Sequence, residues 1–247
     1  MKCIVHEVYS IKIFAIVLSA VKYLMTRKSI WLREEIPMAD ELLALAPQLL
    51  NEFLAYHTDF LEGDFAKGIP YKNPNFDTGP YKSRPDAWKI DPLKYTNPKH
   101  DLVVDNTDKL SQRFPTASAL TKRYGDNCPV SAYSILEHNA VIARHTGVEN
   151  RDGLYVRVHI PLLVPPGDIF FEVEGVEIDW SDIFAFDNQF IHSAYNHTDQ
   201  RRLVYLLDLH RDVLGIEPGI KTNFERFDTV PEFVRGQFPK VLHTCQK

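Results

Sequence analysis

The chain has 247 residues, 45% of them hydrophobic and 25% charged. This is an ordinary globular composition, long enough for one substantial core and not clearly for two. Lys and Arg number 28 against 33 Asp and Glu, a formal net charge of −5, which lacks the basic footprint of a nucleic-acid binder. Cys3, Cys128 and Cys245 are few, odd in number and widely spaced; they argue against a disulfide framework or a cysteine zinc site and for a reducing, cytoplasmic setting.

The most continuously apolar stretch is IKIFAIVLSAVKYLM (11–25), within a leader assigned to residues 1–37. Its uncharged core, Ile13 to Val21, lies between Lys12 and Lys22 and is about half the roughly 20 residues that a spanning helix needs. No integral membrane span is expected. A secretory signal would start earlier and show a small-x-small cleavage site, so the expectation is a peripheral helix or a poorly ordered leader, with peripheral membrane association through 11–25 open to it, over a signal or membrane anchor.

Residues 38–125 read as a helical and loop region flanking a core. Leu42, Leu43, Ala46, Leu49, Leu50, Phe53 and Leu54 recur at three- and four-residue spacing, with Asp40 placed to cap; Pro47 is tolerated or bends the helix. The stretch 63–100 is rich in Pro, Lys, Asn and aromatics and reads as an ordered loop, whose Lys82, Arg84, Trp88 and Lys89 suit either solvent or an acidic substrate. A short helix is expected over 106–114, capped by Asn106 or Thr107.

From 126 to 211 the character changes to strands. VSAYSIL, AVIAR, LYVRVHIPLLV, DIFFEVEG, DIFAF and RRLVYLLDL are β-branched and aromatic-rich, with Gly, Pro, Asn or Asp between them. So many short strands imply an antiparallel sandwich or small barrel. In LYVRVHI, period-two geometry puts Leu154, Val156, Val158 and Ile160 on one face and Tyr155, Arg157 and His159 on the other. Residues 212–247 form a C-terminal extension.

Polar groups cluster in this strand-rich part. Ser134, His145, the pair Arg157 and His159, His192 and Arg202 each have a bland explanation alone: a surface histidine, a solvated strand face, a strand-end histidine bonded to backbone, a solvent-facing arginine. Jointly they suggest a site. Two neutral imidazoles from neighbouring strand rims suit a divalent transition metal with open positions, which fits Fe(II). An arginine facing a half-buried barrel mouth calls for an anion, and its planar fork suits a carboxylate.

The runs AYSILEHNAVIARHTG, GLYVRVHIPLLVPPG and FAFDNQFIHSAYNHTDQRRLVYLLDL resemble the catalytic domain of the aspartyl/asparaginyl β-hydroxylases, a branch of the iron(II)/2-oxoglutarate dioxygenases. The resemblance covers about 130–211. It implies a mainly β fold, a double-stranded β-helix of the jelly-roll or cupin type, with flanking N-terminal helices. It also implies His145 and His192 as iron ligands, Ser134, Arg157, His159 and Arg202 as 2-oxoglutarate contacts, and Arg202 with Ser134 on the distal carboxylate. Most iron oxygenases of this superfamily carry H-x-D, but here the position two after His145 is Gly147; the β-hydroxylases share that lack. The nearest loop acids, Glu149 and Asp152, are expected to be solvated.

The implied activity is hydroxylation of an unactivated C–H bond, with 2-oxoglutarate and O2 as cosubstrates and succinate as coproduct. The family expectation for the substrate is an Asp or Asn side chain, in a peptide or free. The alternatives are a lipid acyl chain, another free amino acid, or a non-catalytic cupin-like protein that binds a small carboxylate.

Overall fold

The computed structural model describes residues 28–61, 69–70, 88–97, 102–147, 150 and 152–217. The apolar stretch 11–25, Lys82, Arg84, Glu149 and the chain beyond 217 lie outside them. In chain order the elements are β1 (Ile30–Leu32), α1 (Ala39–Tyr56), β2 (Ile69–Pro70), β3 (Trp88–Asn97), β4 (Leu102–Asp105), α2 (Pro115–Tyr124), β5 (Val130–Leu136), β6 (Ala140–His145), β7 (Tyr155–Leu163), β8 (Ile169–Val173), β9 (Val176–Ile178), β10 (Phe184–Phe186), β11 (His192–Asn196), β12 (Arg202–His210) and α3 (Arg211–Leu214).

The strands form two antiparallel sheets. The larger runs β1-β10-β7-β12-β5-β3-β2, with β4 paired to β3; the smaller runs β6-β11-β8-β9. Side-chain alternation decides what each face of the large sheet does. Tyr133 and Ile135 of β5, Val156, Val158 and Ile160 of β7, and Leu203, Tyr205, Leu207 and Leu209 of β12 pack on the helical side, with Leu42, Leu49 and Phe53 of α1 and Ala117 and Leu120 of α2. The intervening residues Leu136, Phe184, Phe186, Val204 and Leu206 face the small sheet and meet its Ala140, Ile142, Phe171, Val173 and Ala194. Two facing antiparallel sheets with one side shielded by helices make the double-stranded β-helix expected from the sequence.

The helical layer departs from expectation at its boundaries. The N-cap of α1 is Met38, without a side-chain hydrogen bond; Asp40 lies inside the first turn, where its charge suits the helix dipole, and it binds Arg33 at 2.8 Å. Pro47 sits well inside α1, so the Leu43 carbonyl has no N–H four residues on to accept from. The segment 106–114 forms successive turns rather than a helix, with Leu110 N–H on the Asn106 carbonyl and Phe114 N–H on the Leu110 carbonyl, both at 2.8 Å. The helix begins just beyond, at Pro115, whose fixed φ and missing N–H suit a first turn. The Glu52 carboxylate of α1 accepts from the next two amides, Thr116 at 2.6 Å and Ala117 at 3.3 Å.

The described end of the expected 63–100 loop is also different. Residues 88–97 are β3, paired along β5 from Trp88↔Leu136 to Tyr95↔Val130. Pro92 is accommodated next to a register shift between Pro92 and Lys94, the kind of irregularity where a strand tolerates a residue without an N–H. Among the described residues no helix is long and apolar enough to cross a membrane.

Candidate active site

Because one face of the large sheet packs on helices, the polar residues of alternate parity are carried inward. Ser134 of β5, Arg157 and His159 of β7, and Arg202 of β12 all project between the sheets, where they meet His145 of β6 and His192 of β11. These six residues line one cavity, closed by Trp88, Ile142, Phe171, Trp180, Phe186 and Leu206. All six positions singled out in the sequence are therefore brought together. Arg157 and His159 are 5% and 4% exposed, so the solvated-face reading of that strand is excluded.

His192 does not close an apolar strand, as its sequence context suggests; it opens β11 and pairs directly with His145. The two rings have centroids 4.2 Å apart at 53°. His192 Nδ1 lies 2.8 Å from the Phe190 carbonyl. A carbonyl only accepts, so Nδ1 holds the hydrogen and Nε2 keeps its lone pair, the arrangement of a metal-binding imidazole oriented by backbone. Burial, followed by the nearby His145, pushes its pKa well below the ordinary imidazole value. A neutral imidazole with one nitrogen fixed by the backbone fits the donor set that a divalent metal takes.

Arg202 is 1% exposed. Its Nη1 donates to the Ser134 carbonyl at 3.1 Å and makes a long contact of 3.4 Å with Ser134 Oγ. Its Cζ lies 4.1 Å from the centre of the Trp180 ring. Its Nε is buried and has no hydrogen-bond partner, and no carboxylate among the described residues pairs with it. The other two buried arginines differ: Arg157 binds Asp208 through Nε and Nη2 at 2.7 and 2.8 Å, and Arg211 binds Asp187 at 2.5 Å. Burial alone pushes the Arg202 pKa down to about 9. A buried cation left in this way is costly unless an anion meets it.

Two indoles that the sequence reading did not connect to the polar residues complete the site. Trp88 Nε1 donates to Ser134 Oγ at 2.9 Å, and Trp180 Nε1 donates to His159 Nδ1 at 3.1 Å. His159 is held neutral, first by burial and then by the charges of Arg202 and Arg157. Trp180 sits in a short turn, between Asp179 and Ser181, where Ser181 N–H and Oγ bind the Asp179 carboxylate; a lone Trp in such a turn carries no periodic signal that would mark it. Lys89 is buried and forms an ion pair with buried Glu137 at 3.0 Å.

Gly147, at the position of the missing carboxylate, packs against Asn188. A β-carbon there would lie 2.5 Å from Asn188 Nδ2 and 3.0 Å from Asn188 Cβ. Asn188 itself is buried, with Oδ1 lacking a hydrogen-bond partner. Asp152 is exposed and does not line the cavity. Among the described residues no group of three or more His, Cys, Asp and Glu is placed to hold a metal.

The family model of the aspartyl/asparaginyl β-hydroxylases matches residues 47–212, which include both sheets' site-bearing strands, the C-terminal part of α1 and all of α2. The chain belongs to the aspartyl/asparaginyl β-hydroxylase family. It is a hydroxylase of the 2-oxoglutarate- and iron(II)-dependent dioxygenase type. No curated protein sequence matches it. Similar solved structures include a Pseudomonas putida prolyl-4-hydroxylase, 14% identical over 78% of this chain and 97% of that one with a TM-score of 0.41. A Trichoplax adhaerens prolyl hydroxylase in complex with a hypoxia inducible factor peptide fragment is 15% identical over 70% and 81%, with a TM-score of 0.37. A Burkholderia pseudomallei oxidoreductase of the 2OG-Fe(II) oxygenase family is 9% identical over 54% and 70%, at 0.34.

Proposed function

We propose that this β-hydroxylase family member acts on the side chain of an Asp or Asn, in a peptide or as the free amino acid, and that His145 and His192 hold its iron while Arg202, Ser134 and His159 receive 2-oxoglutarate. The observation that carries the site assignment is the buried guanidinium of Arg202, which has no carboxylate of its own in a cavity whose lining also includes the two paired imidazoles. A dicarboxylate that chelates a metal at one end and ion-pairs at the other matches that arrangement.

When bound, iron(II) and 2-oxoglutarate supply the oxygen-activating chemistry that hydroxylates a C–H bond. The protein's share is placement. The His192 backbone bond fixes which nitrogen faces the metal, Arg202 and Ser134 anchor the distal carboxylate, and Phe171, Phe186 and Leu206 supply apolar walls of the cavity. Arg157 stands on the same cavity with its charge already balanced by Asp208, so its contribution to the cosubstrate is orientation and hydrogen bonding rather than net charge.

The test is Fe(II)-dependent conversion of 2-oxoglutarate to succinate, with a screen of Asp- and Asn-containing peptides and free amino acids for a product heavier by one oxygen. Oxygen incorporation only into a lipid acyl chain or another amino acid replaces the substrate assignment. Absence of succinate formation with every candidate favours a carboxylate-binding protein.

A further inference from the structure

Two hydrogen bonds within the cavity fix the polarity of groups beyond themselves. An indole N–H only donates. Since Trp180 donates to His159 Nδ1 at 3.1 Å, that nitrogen carries the lone pair, and the neutral ring must bear its hydrogen on Nε2. The imidazole therefore offers a donor to the cavity it lines. Ser134 is treated in the same way. Its Oγ receives Trp88 Nε1 at 2.9 Å and faces Arg202 Nη1 at 3.4 Å, and neither neighbour can accept. The hydroxyl hydrogen is left to point at whatever enters.

With the guanidinium of Arg202, all three groups then present hydrogens. The imidazole of His192 shows the contrast: its Nδ1 donates to the Phe190 carbonyl, which leaves Nε2 as an acceptor. Two buried histidines on facing sheets are thus held in opposite tautomers, one by an indole donor and one by a carbonyl acceptor.

We propose that Trp180 and Trp88 are positioning residues that make the Arg202 end of the cavity a donor-only site, and so make it select an ionised carboxylate over the isosteric carboxamide. The inference rests on the assignment of that end to the distal carboxylate of 2-oxoglutarate. A carboxylate accepts at both oxygens, whereas a carboxamide brings two N–H donors against donors that cannot turn around. Rejection then comes from unpaired polar groups as well as from lost charge. Trp180 serves a second purpose, since its ring face lies 4.1 Å from the guanidinium carbon and offers the cation a partner without offering it a negative charge.

The experiment has one arm without variants and one with them. Nitrogen NMR of the metal-free protein labelled in histidine reads the tautomer of His159 directly. The expected result is neutral imidazole with hydrogen on Nε2; hydrogen on Nδ1, or an imidazolium, overturns the proposal whatever the protein binds. The second arm measures binding of N-oxalylglycine, a 2-oxoglutarate isostere, and of N-oxalylglycinamide to the Zn(II)-loaded protein.

The native protein is expected to prefer the carboxylate on the order of 100-fold. In Trp180→Phe the ring remains, but His159 becomes free to change tautomer and accept from the amide. The carboxylate should weaken while the amide tightens, narrowing the preference to roughly tenfold. Trp88→Phe should shift Ser134 in the same direction. Damage to packing alone would weaken both ligands together and leave the ratio unchanged, and an unchanged ratio in either variant overturns the role of that indole. Equal affinity of the native protein for the two ligands overturns this inference alone; no binding of either overturns the carboxylate assignment with it.

Discussion

Gly147 and Asn188 are locked together by backbone and side chain at once. The Gly147 N–H donates to the Asn188 carbonyl at 2.6 Å, and any β-carbon at 147 would meet Asn188 from Nδ2 back to Cβ. Rotating the Asn188 amide away relieves the contacts with Nδ2 and Cγ but leaves Asn188 Cβ at 3.0 Å, so the backbone must still give by a few tenths of an ångström. The place that carries an aspartate in the commoner H-x-D motif is thus crowded by Asn188 in this chain. Gly147→Asp should not create a third ligand. It should destabilise the protein by roughly 1–3 kcal/mol through overpacking, without raising iron content. Pairing it with Asn188→Gly should recover part of that loss, because the two positions share one space. Thermal unfolding and metal analysis of the single and double variants check this.

If His145 and His192 are the protein ligands, replacing either by Ala should abolish iron retention and succinate formation, because one imidazole does not hold an exchangeable divalent ion at useful affinity. Asp152→Asn and Glu149→Gln should keep both. Loss of iron in either acid variant would relocate a ligand to that loop; full activity in His192→Ala would leave His192 as a histidine bonded to backbone and nothing more. Metal content measured beside succinate release separates these outcomes.

What the sequence disclosed follows from periodicity. Alternation in LYVRVHI puts Val156, Val158 and Ile160 on one side and Arg157 and His159 on the other, and the sheet obeys it because its first face is covered by helices and its second by the small sheet. The three- and four-residue spacing in 42–54 marked α1 for the same reason. β3 was hidden: Pro92 and the charges of Lys89, Asp91 and Lys94 conceal a strand whose pairing with β5 is decided by tertiary contact. The pairing of Arg157 was equally illegible, since Asp208 lies 51 residues away and only strand register brings them together. Trp180 had no local pattern at all; its importance comes from lying between His159 and Arg202.

The helical layer yields a prediction unconnected with the cavity. Glu52 of α1 accepts the Thr116 and Ala117 amides at the start of α2, where free N–H groups and the helix dipole both favour a negative charge. Glu52→Ala should cost about 1–2 kcal/mol, read by denaturant titration. Affinity for 2-oxoglutarate in the native folded fraction should be unchanged, since the residue lies on the opposite side of the large sheet from the site.

Arg157 and Arg202 line the same cavity and are both buried, yet their removal should move stability in opposite directions. Arg157 neutralises Asp208, which is 2% exposed and joined to it by two short bonds. Arg157→Met leaves that carboxylate buried without its cation, a change that costs roughly 3–5 kcal/mol. Arg202 has no such partner, and its pKa is pushed down to about 9 by burial. The sign follows: the folded state disfavours the charged form, so below about pH 9 the ligand-free fold bears a cost that the unfolded chain does not. Arg202→Met removes that cost at the loss of the bond to the Ser134 carbonyl and the contact with Trp180, and the ligand-free variant should be at least as stable as the native protein. Addition of 2-oxoglutarate reverses the comparison. It should raise the unfolding temperature of the native protein and leave that of Arg202→Met almost unmoved, because loss of a buried charge-assisted pair weakens binding by about 2–5 kcal/mol. Unfolding temperatures of the three proteins at pH 7, with and without 2-oxoglutarate, decide it. An Arg202→Met protein that is markedly less stable without ligand, or that still responds fully to 2-oxoglutarate, would show that the guanidinium is a structural cation and that the cosubstrate is held elsewhere.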